Sequence, residues 1–422
     1  MAERKNDVGK DSPLKGVKIA NFAWVGVGPM GVRFLSTWGA TVVRVETHRR
    51  PDTARLMLPY KDGIMSVDRT PWFAVLNASM YGISIDLTRP SGLDIAWKLI
   101  KWADVVTESF TPGKMKKLGL DYESVRKVKP DIIYLSTCQM GESGPLAHFG
   151  GYGVHAAAIA GITNLTGWPD RPPTPVAVAF SDPVSARCVA LSLLSALEYR
   201  RRTGKGQYIE VSQLEVTLQK IAPALMDYMI NGRALNRNGN SFPYAAPHNV
   251  YPCKGDDRWC AIAVLDDAQW KAFVKVIDQE WVRDAKFSSP LSRKQNEAEL
   301  DELISKWTKD QTAEEIEARM QAAEVPCHVV SNIKDVVNDP QINHRGFLDK
   351  LEHSVMGEYI CDRNCYKLSK SKSTWRPGPA LGEHNEYVFK ELLGMTDDKI
   401  ADALIEGGIT TDADLPQIKP SI

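Results

Sequence analysis

The apolar positions fall into short β-branched runs separated by amphipathic stretches. Val17–Phe22 and Thr41–Val45 are compact apolar runs that read as buried strands, the second closing on Glu46. Between them Pro29–Trp38 reads as a helix, with Pro29 suited to its first turn and Gly39 to its C-terminal stop. Ser91–Trp102 has a helical apolar face, Asp104–Thr107 returns to strand, Tyr122–Val128 is helical before Pro130, and Ile132–Ser136 is another strand. This alternation predicts an α/β fold, a mainly parallel Rossmann-like sheet with helices on both faces.

Further on the texture changes. Pro183–Arg202 reads as a long helix whose end carries Arg200, Arg201 and Arg202 before Gly204, matching the negative end of a helix. Gly206–Val211 is a strand and Leu214–Ile230 a helix. Asn231–His248 is polar and rich in Asn, Pro and Gly, a loop or linker. Trp259–Val264 reads as a strand, with helices beginning at Ala268 and Glu299. Thr312 and Glu315 form a capping box for a helix to Ala323, and Val325–Val330 is a strand. The expected organisation is a polar tail (1–13), a large α/β domain (14–224), a smaller α+β domain (225–330) and a C-terminal return to the large domain (331–422).

Composition narrows the function. At 422 residues, 43% hydrophobic and 25% charged, the chain is long enough for two or three domains with real cores. Its 52 basic and 52 acidic residues cancel, which argues against nucleic acid or an anionic membrane as the main partner. No apolar run approaches membrane-spanning length, and Met1–Lys15 lacks the apolar segment of a signal peptide. Seven scattered cysteines fit a reducing compartment, so a cytoplasmic protein is expected. Cys361 and Cys365 have a ligand-like spacing but no second Cys/His pair nearby, and no metal is expected.

Two local patterns carry chemistry. Gly26-Val27-Gly28-Pro29-Met30-Gly31 follows a strand, opens a helix and has Glu46 ending the next strand. This is the arrangement of a dinucleotide site, of another phosphate site, or of a tight structural turn. Ser181-Asp182-Pro183 starts a helix: Asp182 is either its N-cap or a carboxylate nucleophile, kept ionised by the helix terminus. His155, among Ala156, Ala157 and Ala158, reads as a packed histidine rather than a base. No GxSxG, GxxxxGK[ST] or HExxH motif occurs.

Longer stretches carry a resemblance. Leu14-Lys15-Gly16-Val17-Lys18-Ile19, the Gly26–Pro29 turn and Trp38–Glu46 are similar to the opening of the family III CoA-transferases. Glu108-Ser109-Phe110-Thr111-Pro112-Gly113, Leu118–Tyr122, Gly141–Pro145, Arg202–Gln207, Ala246–Tyr251, Val325–Cys327, Asp339–Gln341 and Leu381–His384 continue it in order. The stretches around Trp24–Pro29 and Ala246–Cys253 look most similar to members acting on benzylsuccinate-type or other bulky acids. The resemblance implies an interlocked dimer, with itself or a related subunit. It also implies coenzyme A or acyl-CoA as substrate, with no permanently bound cofactor, and a carboxylic acid as co-substrate.

By position, the resemblance makes Asp182 the catalytic aspartate. Val25, Gly26, Ser109, Phe110, Lys117 and Tyr152 would line the CoA site, and Arg49 and Arg50 would meet its phosphates. Two departures stand out: Leu76-Asn77 is followed by Ala78-Ser79 where the family often has Lys-Arg, and residues 235–250 lack the formyl-CoA branch's glycine-rich lid. Oxalate and formyl-CoA are therefore poor substrate expectations. An α-methylacyl-CoA racemase is the alternative, though Tyr152 stands where its histidine base belongs. A non-catalytic subunit of a heteromer is another.

Overall fold

The computed structural model describes residues 12–176 and 179–417. The chain divides into two compact units. One comprises the segments up to Asn164, Thr174–Leu235 and from Gly346 on; the other comprises Leu165–Pro173 and Asn236–Arg345. The second unit thus starts beyond 225, because the helix Ala222–Asn231 stays with the first, and it runs past 330 through two short helices ending at Arg345.

The first unit is built on six parallel strands: β1 (Lys18–Asn21), β2 (Thr41–Glu46), β3 (Tyr81–Ser84), β4 (Val105–Glu108), β5 (Ile133–Cys138) and β6 (Gln207–Ser212). Their order is β3-β2-β1-β4-β5-β6. Its helices include α1 (Val27–Ser36), α2 (Pro90–Trp102), α3 (Tyr122–Val128), α4 (Gly153–Ile159), α5 (Ser181–Thr203), α6 (Gln213–Lys220) and α7 (Ala222–Asn231). Side chains alternate across the sheet, as the two-residue strand period requires. Ile19, Val42, Val105 and Ile133 pack against Val32 and Leu35 of α1 and Val189 and Leu193 of α5. Ala20, Val43, Val106 and Tyr134 pack on the other face with Ile95 and Leu99 of α2, Val125 of α3, and the C-terminal Phe389 and Ile409. Burial on both faces explains the unbroken apolar runs of the central strands.

The expected single helix over 214–230 is two helices. Pro223 cannot donate a backbone hydrogen bond, and the chain leaves helical geometry at Ile221 before restarting as α7. In the second unit β7 (His248–Pro252), β8 (Trp259–Ala263) and β9 (Cys327–Val329) form an antiparallel sheet over a separate core of Tyr251, Ile262, Phe273, Leu300 and Ile316. The capping box is present: Thr312 N donates to Glu315 Oε2 (3.0 Å) and Glu315 N to Thr312 Oγ1 (3.3 Å). After it, β10 (Leu348–His353) and β11 (Gly357–Asp362) make a hairpin in the first unit. The hairpin packs on Ala74 and Ala78 and is tied to α1 by a two-bond Arg33–Asp362 pair at 2.9 Å. Among the described residues no helix is long and apolar enough to cross a membrane.

Candidate active site

The strand order reverses direction between β1 and β4, and in open α/β sheets ligands bind beyond the C-terminal strand ends at that switch point. The chain leaving β1 is held there by two anchors. Trp24 N donates to Ser109 Oγ just after β4 (2.8 Å), and that hydroxyl donates back to Trp24 O (3.2 Å). Val25 N donates to Asp52 Oδ2 (2.9 Å), and the fully buried Asp52 carboxylate also accepts from Arg44 and from Ala54 N. Val25 has φ +63°, the left-handed region, which costs a β-branched residue about 1–3 kcal/mol and persists only where surroundings impose it. The Asp52–Arg44 pair supplies that constraint.

Gly26 follows, and the reason for glycine is the carboxylate beside it. A Cβ at Gly26 would lie 2.8 Å from Asp182 Oδ2; one at Gly153 would lie 2.2 Å from Asp182 Oδ1. Asp182 therefore sits between two bare backbones in the first turn of α5. It is not the N-cap: the cap position is Phe180, and no side chain caps this end. Ser181 Oγ donates to Gly153 O (2.9 Å) and lies 3.4 Å from Asp182 Oδ1. No cation pairs with Asp182 among the described residues. Burial pushes its carboxyl up to about 6, with the Ser181 contact opposing.

Asp182 opens into a cavity of about 350 Å³ lined also by Val25, Gly26, Arg50, Ser109, Phe110, Gln139, Tyr152, Gly153 and Gln213. Of the expected CoA-site residues, Val25, Gly26, Arg50, Ser109, Phe110 and Tyr152 thus gather around Asp182. Two do not. Arg49 turns away to Asp86 (3.3 Å) and Asp414 (3.4 Å), whereas exposed Arg50 has no ion-pair partner among the described residues. Lys117 is exposed at the end of a short turn of helix and does not line this cavity; Lys116 reaches a neighbouring one. His155 is not packed in a core: it is exposed, and its Nδ1 accepts from Tyr152 N (3.0 Å) at the start of α4.

The glycine motif serves protein packing at each position. A Cβ on Gly28 would meet Ala23 Cβ at 2.3 Å, and one on Gly31 would meet Val189 Cγ1 of α5 at 2.5 Å. Glu46 cannot take a ribose: it is buried and holds Arg55 through two hydrogen bonds of 2.9 and 2.8 Å. The dinucleotide reading has no acceptor left. Four features carried no sequence signal: Asp52, Arg44, Gln139 and Gln213. The cluster Gly150-Gly151-Tyr152-Gly153 could have marked the second wall beside Asp182.

Comparison with known proteins gives the geometry a family. The family model described as CoA-transferase family III matches residues 14–385. This chain belongs to CoA-transferase family III. It is similar to succinyl-CoA–D-citramalate CoA-transferase of Chloroflexus aurantiacus, 31% identical over 392 residues, which span 92% of this chain and 96% of the relative. It is also similar to succinyl-CoA:glutarate CoA-transferase of Mus musculus, 28% identical over 96% of this chain and 92% of that one. Among solved structures, a CAIB/BAIF family protein from Brucella suis has a TM-score of 0.83 at 30% identity, covering 91% of this chain and all of that one. The chain is a CoA-transferase, and the family supports transfer of CoA between acyl-CoA and carboxylic acids. Among the described residues no His/Cys/Asp/Glu cluster could hold a metal; Cys361 is buried in β11 and Cys365 is exposed, both as free thiols.

Proposed function

We propose that this CoA-transferase uses Asp182 as a covalent nucleophile. One observation carries the reading: Asp182 is a carboxylate without a cationic partner, flanked by two glycines and opening into the switch-point cavity. A carboxylate oxygen attacks the acyl-CoA carbonyl carbon, the C–S bond breaks, and CoA thiolate leaves an aspartyl mixed anhydride. The thiolate then attacks Asp182 Cγ, expelling the donor acid and leaving an Asp182–CoA thioester. The acceptor carboxylate attacks Cγ in turn, releasing thiolate, which takes the acceptor acyl group from the new anhydride and frees Asp182. Each step conserves the activation of the thioester as long as water is kept out.

Arg50 is the cation suited to a CoA phosphate, since Arg49 is engaged by two carboxylates. Succinyl-CoA, the donor named for two relatives, is the first donor to offer, with short dicarboxylic acids as acceptors. Asp182→Asn keeps the size and polarity of the side chain but cannot be acylated in this way. Transfer between succinyl-CoA and a panel of acids is expected to fall to background in this variant, by at least about 10³-fold, with folding intact by circular dichroism. Retained transfer, with no deamidation back to Asp, contradicts the reading.

A further inference from the structure

One buried carboxylate joins two stretches of backbone that line the Asp182 cavity. Asp52 lies beyond the end of β2, and its two oxygens do different things. Oδ1 accepts from Ala54 N (2.9 Å) and caps the 3₁₀ turn Thr53–Leu56. Oδ2 accepts from Val25 N (2.9 Å), 27 residues earlier in the chain, and from Arg44 of β2. Arg44 and Asp52 are both fully buried, so the pair is little screened by salt or water. Contacts on both oxygens leave the carboxylate one orientation.

A cap role accounts for Oδ1 alone. The other oxygen is spent on Val25, where the backbone is strained. Of the six non-glycine residues with positive φ among the described residues, Val25 alone is β-branched. Upstream, Trp24 is pinned to Ser109; downstream, α1 packs on α5 through Gly31. Val25 is the joint between them. Its conformation places the next residue, Gly26, so close to Asp182 that a Cβ there would stand 2.8 Å from Oδ2. In the extended conformation that valine prefers, the Gly26 peptide could not keep that place. Val25 and Gly26 line the cavity, as do Arg50 and Thr53 on either side of Asp52, whereas Asp52 itself does not.

Resting on the reading of Asp182 as the nucleophile, we infer that Asp52 is a positioning residue for CoA transfer. It holds Val25 in the left-handed conformation and thereby keeps the Gly26 backbone in place against the Asp182 carboxylate. Arg44 is its buried counter-charge. Asp52 acts through the backbone and not on the substrate.

Asp52→Ser separates the two roles, because serine still caps the turn but is too short to reach Val25 N. With succinyl-CoA and the best acceptor acid, kcat is expected to fall roughly tenfold to a hundredfold. KM for succinyl-CoA stays within about threefold of wild type, since the capped Arg50–Thr53 loop remains. Val25→Gly then tells positioning from stability. Glycine adopts a left-handed φ without strain. The kcat loss caused by Asp52→Ser is therefore expected to shrink at least about fivefold when Val25→Gly is already present. A role confined to stability leaves kcat unchanged in enzyme shown to be folded by circular dichroism. Should Asp52→Ser melt early, adding Arg44→Met removes the stranded buried charge, and the comparison is made in that background. The inference is overturned by a kcat within about twofold of wild type in the folded variant, or by a loss that Val25→Gly leaves undiminished. Transfer retained in Asp182→Asn overturns the nucleophile reading instead, an outcome that the Asp52 variants cannot produce.

Discussion

A carboxylate that attacks a carbonyl must be ionised, yet not held so tightly that its lone pairs are spent. Asp182 meets this by burial without a counter-charge, and the consequence is a carboxyl raised to about 6. The ionised form is the reactive one, so kcat/KM is expected to fall about tenfold per pH unit below roughly 6 and to level above it. A flat profile down to pH 4.5 contradicts the assignment. Stability runs the other way. A carboxyl whose folded value lies above its unfolded one stabilises fully below the unfolded value, and that contribution is lost as pH rises through about 6. Asp182→Asn removes the buried charge, so at pH 7.5 it is expected to be as stable as wild type or more so, by about 1–3 kcal/mol. Urea melts at pH 4.5 and 7.5 check this, the gain being confined to the higher pH. The helix start marked Asp182 as a candidate, either cap or nucleophile, and the family resemblance chose between the two. The two arginines were not separable, since only tertiary contact with Asp86 and Asp414 distinguishes Arg49 from Arg50.

Among elements, α1 and α5 bear the site between them, and their spacing depends on Gly31. Alanine in a helix is ordinarily worth about 1 kcal/mol over glycine. At Gly31 its Cβ would meet Val189 Cγ1 at 2.5 Å and Ala186 O at 2.9 Å, so overpacking wins. Gly31→Ala is expected to destabilise by about 1–3 kcal/mol in denaturant melts; unchanged stability contradicts the close packing of these helices. Of the strands read from sequence, β1, β2, β4 and β5 have apolar runs buried on both faces; β6, at the edge of the sheet, exposes Tyr208 and Glu210. β3 escaped because Tyr81-Gly82-Ile83-Ser84 is short and holds a glycine, which is needed because a Cβ there would press on Pro379 at 2.8 Å. The β10–β11 hairpin escaped because charged, exposed residues such as Asp349, Lys350 and Glu352 break its apolar pattern.

At the scale of the whole molecule, the resemblance implies an interlocked dimer, and α7 exposes the kind of surface such a partner covers: Leu225, Met226, Tyr228, Met229 and Ile230 all face solvent. Light scattering across a wide dilution series is expected to find no folded monomer; a stable monomer contradicts that assembly. The sheet order explains why residues far apart in sequence, Gly26 after β1, Ser109 after β4, Gln139 after β5 and Asp182 on α5, share one cavity. The transfer proposed for that cavity rests on one covalent event. Wild-type protein mixed with succinyl-CoA, quenched with hydroxylamine and mapped by peptide mass spectrometry is expected to carry a hydroxamate at Asp182, since both the anhydride and the thioester yield to that nucleophile. An unmodified Asp182 in a preparation that turns over succinyl-CoA and acid at full rate contradicts the account.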